Sequence, residues 1–298
     1  MKLLITGSSG FVGQNLLEYL EGFEIYSITR NQLNTPSLEQ LNSCDTLIHL
    51  AGKAHDLKQT SNPQEYYQVN FELTKQLYDA FLHSDAKKFI FISSVKVAAD
   101  TVEGILNEEV KPDPQTDYGK SKLMAEEYIQ SQVLPEGKSY YILRPCMIHG
   151  PGNKGNLNLL YRLVAKGIPY PLAAFENKRS FLSIENLCFV IKELIERSDI
   201  FSGVYHVADD EAISTNELIN VISGALEIKP RLWKINSGSI RLLAKIGDTL
   251  RLPLNSERLK KLTESYVVSN SKIKGALGKE FPVEARAGLR KTILSFKE

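Results

Sequence analysis

The chain has 298 residues, 43% hydrophobic and 24% charged, with a formal net charge of +1. That is enough for one large domain or two small ones with a full core, in a globular rather than fibrous or disordered chain. The balanced charge supplies no global field for nucleic acid, and no apolar run reads as a membrane span or a secretory leader.

Residues 2–6 (KLLIT) read as a buried strand and 11–20 as a helix with Val12, Leu16, Leu17 and Leu20 on one face. A second strand follows at 24–29, a short helix at 37–42 after Pro36, and a third strand at 45–51. Residues 63–84 form one long helix with Pro63 in its first turn. Strands at 88–94 and 139–145 flank a helix over 118–132. Strands apolar on both faces, alternating with helices, define an α/β fold with a doubly wound parallel sheet of the Rossmann type. After Gly150 come a loop, a helix over 157–167, a strand and helix within 177–197, and a buried strand at 203–209. Short helices and loops fill 213–298. The expected division is a dinucleotide-binding domain of 1–150 with 181–210, and a smaller α/β substrate lobe of 151–180 with 211–298. Cys44, Cys146 and Cys188 lie scattered in apolar segments, which reads as buried free thiols and a reducing, cytoplasmic setting. The five histidines show no ligand spacing, so no metal is expected.

Between the first strand and helix stands TGSSGFVG, with Gly7, Gly10 and Gly13. The first glycine permits a tight turn, the second a close approach to a pyrophosphate, and the third close packing of helix on sheet. N–H groups at the helix start then face the phosphates. At the end of the second strand an acid would bind a ribose diol and a base a 2′-phosphate. Here stand Thr29 and Arg30, with no acid, which leans toward NADP(H) over NAD(H); the other reading of Arg30 is adenine stacking or solvent.

The stretch TDYGKSKLMAEEYI (116–129) holds Tyr118 and Lys122 four apart, on one face of a helix that Thr116 or Asp117 can cap. The preceding strand ends at Ser93 and Ser94, at the carboxyl edge where open parallel sheets bind ligands. A hydroxyl, a phenol and an ammonium converge there.

In these segments, with DTLIHLAG, YQVN, FISSVKV, YGKSK, LRPCMIHGPG, NKRSFLSIENL and YHVAD in order, the chain resembles the extended short-chain dehydrogenases/reductases that act as nucleotide-sugar epimerases, dehydratases and ketoreductases. The resemblance covers nearly the whole length. It implies Ser94, Tyr118 and Lys122 as catalytic residues. Tyr118 exchanges the proton of a sugar hydroxyl, Ser94 holds the same oxygen, and Lys122 lowers the phenol's pKa and binds the nicotinamide ribose. It lines the cofactor cleft with Ser9, Phe11 and Val12 beside the glycines, with Leu50, Ala51 and Gly52, with Ser93, and with Pro145. It also implies Asn70 as a brace of the site, against the plainer reading of a helix kink or cap.

Dehydratases of this group follow the active Ser or Thr with an acid pair; Val95 and Lys96 stand there instead. Two reactions remain, a 4-ketoreductase and a 4-epimerase. Thr29-Arg30 and the segment running from GPGNKGN to VADDEAIST favour a reductase for a UDP-4-keto-6-deoxy-N-acetylhexosamine in surface-polysaccharide synthesis. Lys96 either touches this substrate or is exposed. Met147 and His149 replace an Asn and a Tyr common in the epimerases, and Asn156 is the candidate replacement for that Asn. Arg179, and less clearly Arg258, are candidates for the diphosphate, against a reading of each as a surface cation. A non-enzymatic cofactor-binding scaffold commonly lacks the Tyr/Lys pair that this chain keeps. A homodimer is implied by the resemblance alone. The basic amphipathic stretch 239–252 reads as a helix packed on its own lobe rather than on a membrane.

Overall fold

The computed structural model describes residues 1–28, 41–53, 62–153, 155–250 and 255–297, the side chain of Asn156 excepted. The strands are β1 (Lys2–Thr6), β2 (Glu24–Ile28), β3 (Thr46–His49), β4 (Lys88–Ile92), β5 (Ile105–Leu106), β6 (Ser139–Pro145), β7 (Met147–His149), β8 (Phe181–Ser183), β9 (Gly203–Val207) and β10 (Val267–Val268). Six of them form one sheet in the order β2-β1-β3-β4-β6-β9, and every pairing is parallel. This is the expected doubly wound α/β sheet. The chain leaves β1 for β2 on one side and returns to β3 on the other, so the crevice between the ends of β1 and β3 is the switch point where such sheets hold ligands.

Strand alternation divides the core. Leu3 and Ile5 of β1 face the helices Phe11–Tyr19 and Ile184–Glu196, together with Ile48 and Ile90. Leu4, Leu47, Phe89 and Phe91 face the other way, toward Leu77, Tyr78 and Phe81 of the helix Leu73–Leu82 and Ala125 and Ile129 of the helix Asp117–Ser131. Each fully buried side chain of this size contributes about 1.5–3 kcal/mol, which is why both faces of a parallel sheet are apolar. A third core joins the helices Asn156–Ala165, Thr215–Ala225 and Ala285–Leu294 around Phe181, Ile213 and Ile222. Two short parallel pairs, β5 with β10 and β7 with β8, stitch this part of the chain to the main sheet.

The element bounds follow the sequence closely at β6 and within one or two residues elsewhere. The expected helix over 37–42 lies largely outside the described residues. The long helix expected over 63–84 departs in kind. It begins at Pro63 with Asn62 as its cap, widens into a π turn over Tyr67–Glu72, and resumes as Leu73–Leu82. Such turns insert where a side chain must be turned inward, often at functional sites, and Asn70 is the buried residue of this one. All three cysteines are free and buried. Burial raises their thiols, Cys44 to about 11 and Cys188 to about 12.

Candidate active site

The glycine loop has the geometry its sequence requires. Gly7 adopts φ +74°, and a Cβ there would lie 2.6 Å from the Ala51 nitrogen. A Cβ on Gly13 would meet the Gly7 carbonyl at 2.4 Å, so only glycine lets the first helix start this close to β1. Gly10 donates to that carbonyl at 3.0 Å and opens the helix without any side-chain cap or acid in the first turn. Ser9 and Gly10 are exposed, while Phe11 and Val12 are half-buried. A helix start of positive potential, uncapped and reachable at Gly10, fits a pyrophosphate. Leu50 and Ala51 line the facing turn after β3, where Ala51 donates to the Thr6 hydroxyl at 3.2 Å. Pro145 is buried at the end of β6. Thr29 and Arg30 lie outside the described residues.

The helix Asp117–Ser131 is capped by Thr116, whose hydroxyl accepts from the Gly119 nitrogen at 3.2 Å. Gly119 is needed for contact, since a Cβ there would lie 2.8 Å from the Lys96 carbonyl oxygen. This close approach brings Tyr118 to the turn after β4, where the Ser94 hydroxyl is near enough to act on its phenol. The Tyr118 ring meets Tyr66 edge-on at 6.2 Å. One turn on, the buried Lys122 donates to the Ile92 carbonyl at 2.9 Å and sits 4.5 Å over the Phe91 ring. It also reaches the turn after β3, for a Cβ on Gly52 would be 3.1 Å from its Nζ. Ser94, Tyr118, Lys122 and Gly52 thus surround the carboxyl end of β4.

The electrostatics differ from the expectation that Lys122 depresses the phenol. Burial is the leading influence on Tyr118 and raises its pKa, the Ser94 hydroxyl opposes this, and Tyr66 adds to it. Burial likewise lowers Lys122 to about 8, against the opposing pull of the Glu126 carboxylate. The ammonium therefore gives up its proton near pH 8, well below the ordinary lysine range.

Two residues expected to face the cofactor are otherwise engaged. Ser93 is next to Ser94, and its side chain is buried against the same helix, two turns beyond Tyr118. Its hydroxyl donates to the buried Glu126 carboxylate, which also takes the Arg144 Nε at 3.0 Å from each oxygen. Asn70 spends its whole amide on structure. Its Oδ1 accepts from the Lys53 nitrogen at 2.8 Å, and its Nδ2 donates to the Lys53 carbonyl at 3.2 Å and the Ser121 hydroxyl at 3.1 Å. This is a clasp between the turn after β3 and the helix of Tyr118. Below it the buried His49 bridges Thr6 at 2.7 Å and Thr74 at 3.0 Å. Burial and the Lys122 charge hold that imidazole down to about 3, so it is a neutral strut. Thr6, His49, Thr74, Ser121, Glu126 and Arg144 escaped the sequence reading, because their partners lie far along the chain. The one signal available was the presence of polar residues in otherwise apolar segments.

The substrate candidates separate. Lys96 is not free at the surface: it donates to the Asp100 carbonyl at 3.0 Å and lies 4.4 Å over the Tyr266 ring. Tyr266 in turn donates to the Ala99 carbonyl at 2.7 Å. The half-buried Arg179 gives its guanidinium to the carbonyls of Glu264, at 3.2 Å, and Lys261. Burial lowers both cations, and each feels Glu264, so they share one neighbourhood. Arg258 is exposed on the helix Ser256–Thr263, and Asn156 opens the helix Asn156–Ala165. His149 is buried, bonded to Thr292 at 2.9 Å and 3.6 Å from the Asp209 carboxylate.

A glycine loop at the switch point of a parallel sheet, facing a Ser–Tyr–Lys cluster at the end of β4, defines an oxidoreductase-type dinucleotide fold. The chain belongs to the NAD dependent epimerase/dehydratase family, whose profile matches residues 3–208, and it is an enzyme of that family. It is 31% identical to a UDP-glucose 4-epimerase of Vibrio cholerae, over 99% of this chain and 95% of that protein. It is also 31% identical to a UDP-2-acetamido-2,6-beta-L-arabino-hexul-4-ose reductase of Pseudomonas aeruginosa, over 53% of this chain and 38% of that one. The fold matches the crystal structure of UDP-N-acetylglucosamine 4-epimerase from Bacillus cereus with a TM-score of 0.77 and 22% identity, covering 100% of both chains.

Proposed function

We propose that this enzyme oxidises or reduces C4 of a UDP-sugar with a nicotinamide dinucleotide. The observation that carries the reading is the convergence of Ser94, Tyr118 and Lys122 at the end of β4, opposite the glycine loop. A bound nicotinamide supplies the hydride acceptor or donor. The helix start at Gly10–Gly13 holds the pyrophosphate, with Ser9, Phe11 and Val12 beside it, and Leu50, Ala51, Gly52 and Pro145 wall the cleft. Lys122 reaches the nicotinamide ribose. Tyr118 gives or takes the proton of the C4 oxygen, and Ser94 holds that oxygen by hydrogen bond. Asn70 positions both sides of the cleft without touching the cofactor. Residues 151–180 and 211–298 form the sugar-nucleotide lobe, where Arg179 and, second to it, Arg258 serve the diphosphate, Lys96 touches the substrate, Asn156 stands in for the substrate-binding Asn replaced at Met147, and two copies pair as a homodimer.

Between the two C4 reactions we place first the 4-ketoreductase acting on a UDP-4-keto-6-deoxy-N-acetylhexosamine. Arg30, with no acid near the end of β2, favours NADP(H), and the reductase relative from Pseudomonas aeruginosa supports the sugar class. The second reading is a 4-epimerase with retained NAD, favoured by the similarity to the Vibrio cholerae enzyme along the whole chain. NADPH oxidation on adding UDP-4-keto-6-deoxy-N-acetylglucosamine separates them. Stoichiometric consumption supports the reductase. No consumption, with interconversion of UDP-hexoses or UDP-N-acetylhexosamines, assigns the epimerase. Neither reaction, on any of these sugars, overturns the proposal.

A further inference from the structure

We propose that the helix Ser237–Leu250, with the segment just before it, is a docking surface for an anionic lipid bilayer. The helix carries two apolar faces. Ile240, Ala244 and Gly247 are buried and pack it on the third core. Leu242, Leu243, Ile246 and Leu250 are 61%, 56%, 43% and 63% exposed. At about 100° per residue these four occupy a single arc of about 100°, distinct from the buried one. A helix that merely packs on its lobe needs only the first face.

Trp233 and Ile235 extend the apolar surface. They are 57% and 39% exposed and directly precede Asn236, whose side chain accepts from the Gly238 nitrogen at 2.8 Å to start the helix. Isolated exposed apolar residues are ordinary, but six large ones within residues 233–250, four of them on one arc of a helix, mark an interaction site.

The charges beside the patch choose the partner. Lys234, Arg241 and Lys245 lie in the same stretch, and Arg241 sits 5.7 Å from the Phe175 ring. The one acid, Asp248, is turned to a local task, accepting from the Ser256 nitrogen at 2.9 Å and hydroxyl at 2.5 Å. A leucine-rich arc, a cationic flank and a tryptophan at one end are the pattern of a helix lying in a bilayer interface, apolar arc among acyl chains and cations at anionic headgroups. Among the described residues no helix is long and apolar enough to cross a membrane, so the association is peripheral. The helix packs beside the one that carries Arg258, and the proposal does not rest on the reading of the site's chemistry.

Trp233 is the single tryptophan of the chain, so its emission reports this surface alone. The intact protein is titrated with vesicles of phosphatidylcholine mixed with phosphatidylglycerol, and with phosphatidylcholine alone. The expected result is a blue shift and co-sedimentation with the mixed vesicles, weakened by salt. The triple variant Leu242→Gln, Ile246→Gln, Leu250→Gln is expected to lower partitioning at least about ten-fold, with the circular dichroism and melting profile of the parent. An unshifted Trp233 with mixed vesicles overturns the proposal, as does unchanged partitioning of the folded variant. Equal partitioning onto pure phosphatidylcholine overturns the anionic preference. A lipid-free dimer that shields Trp233 and is lost in the variant assigns the face to a second copy instead.

Discussion

The Asn70 Nδ2 donates to the Ser121 hydroxyl at 3.1 Å, joining a π turn to the helix of Tyr118 across 51 positions of chain. The same amide holds both backbone groups of Lys53. One buried side chain therefore ties the cofactor-side turn after β3 to the Tyr118 helix by hydrogen bonds. Asn70→Ala leaves the Lys53 nitrogen and carbonyl without these partners. The expected cost is about 1–3 kcal/mol in urea unfolding, with a larger fall in turnover than in dinucleotide affinity.

Tyr118→Phe keeps the ring against Tyr66 and removes the hydroxyl beside Ser94. Turnover is expected to fall by at least about 10²-fold, with dinucleotide binding by fluorescence titration near the parent value. Turnover within a few-fold of the parent would remove Tyr118 from proton exchange.

Lys122 makes stability depend on pH. In the unfolded chain its ammonium keeps the proton to about pH 10.4. In the fold burial lowers that value to about 8. Between these limits the unfolded state binds more protons, so the unfolding free energy rises with pH. The penalty for burying the charged form is present in full below pH 8 and is relieved toward pH 10, by about 3 kcal/mol in all. Urea unfolding of the parent and of Lys122→Met between pH 7 and 10 tests this, and parallel curves would refute it.

Gly13→Ala forces a Cβ to within 2.4 Å of the Gly7 carbonyl oxygen, a backbone atom with nowhere to move. Dinucleotide affinity is expected to fall at least about ten-fold, because the helix start shifts away from the phosphates. Gly22→Ala is the control: it has φ +97° but no atom within 4 Å, so it is expected to lower stability by about 1 kcal/mol and leave affinity intact.

Glu126 and Arg144 form an ion pair out of contact with solvent, joining the Tyr118 helix to β6. Arg144→Met leaves the carboxylate charged and buried beside Ser93 and is expected to cost about 3–5 kcal/mol. Glu126→Gln with Arg144→Met is expected to recover part of that loss, which a double-mutant cycle in urea measures.

The sequence by itself determined the sheet and its crevice. Apolar runs such as KFIFI have no polar face to offer water, so they must lie inside a sheet covered on both sides. Gly7 and Gly13 stand where any side chain would collide, and Thr116 precedes the helix of Tyr118 as its cap. These are local demands, met by residues close in sequence. The tertiary structure alone decided the rest. The π turn at Asn70 follows from hydrogen bonds to residues 17 and 51 positions away. The turn after β4 lays Ser93 against Glu126 and Ser94 beside Tyr118, 33 and 24 positions along the chain. Burial outweighs neighbouring charge in setting Tyr118 and Lys122. Arg179 spends donors on carbonyls that come near only when residues 261–264 fold back. The periodicity of residues 239–252 announced an amphipathic helix, but which of its apolar faces would find a partner was decided by packing, because exposure depends on the neighbours that arrive.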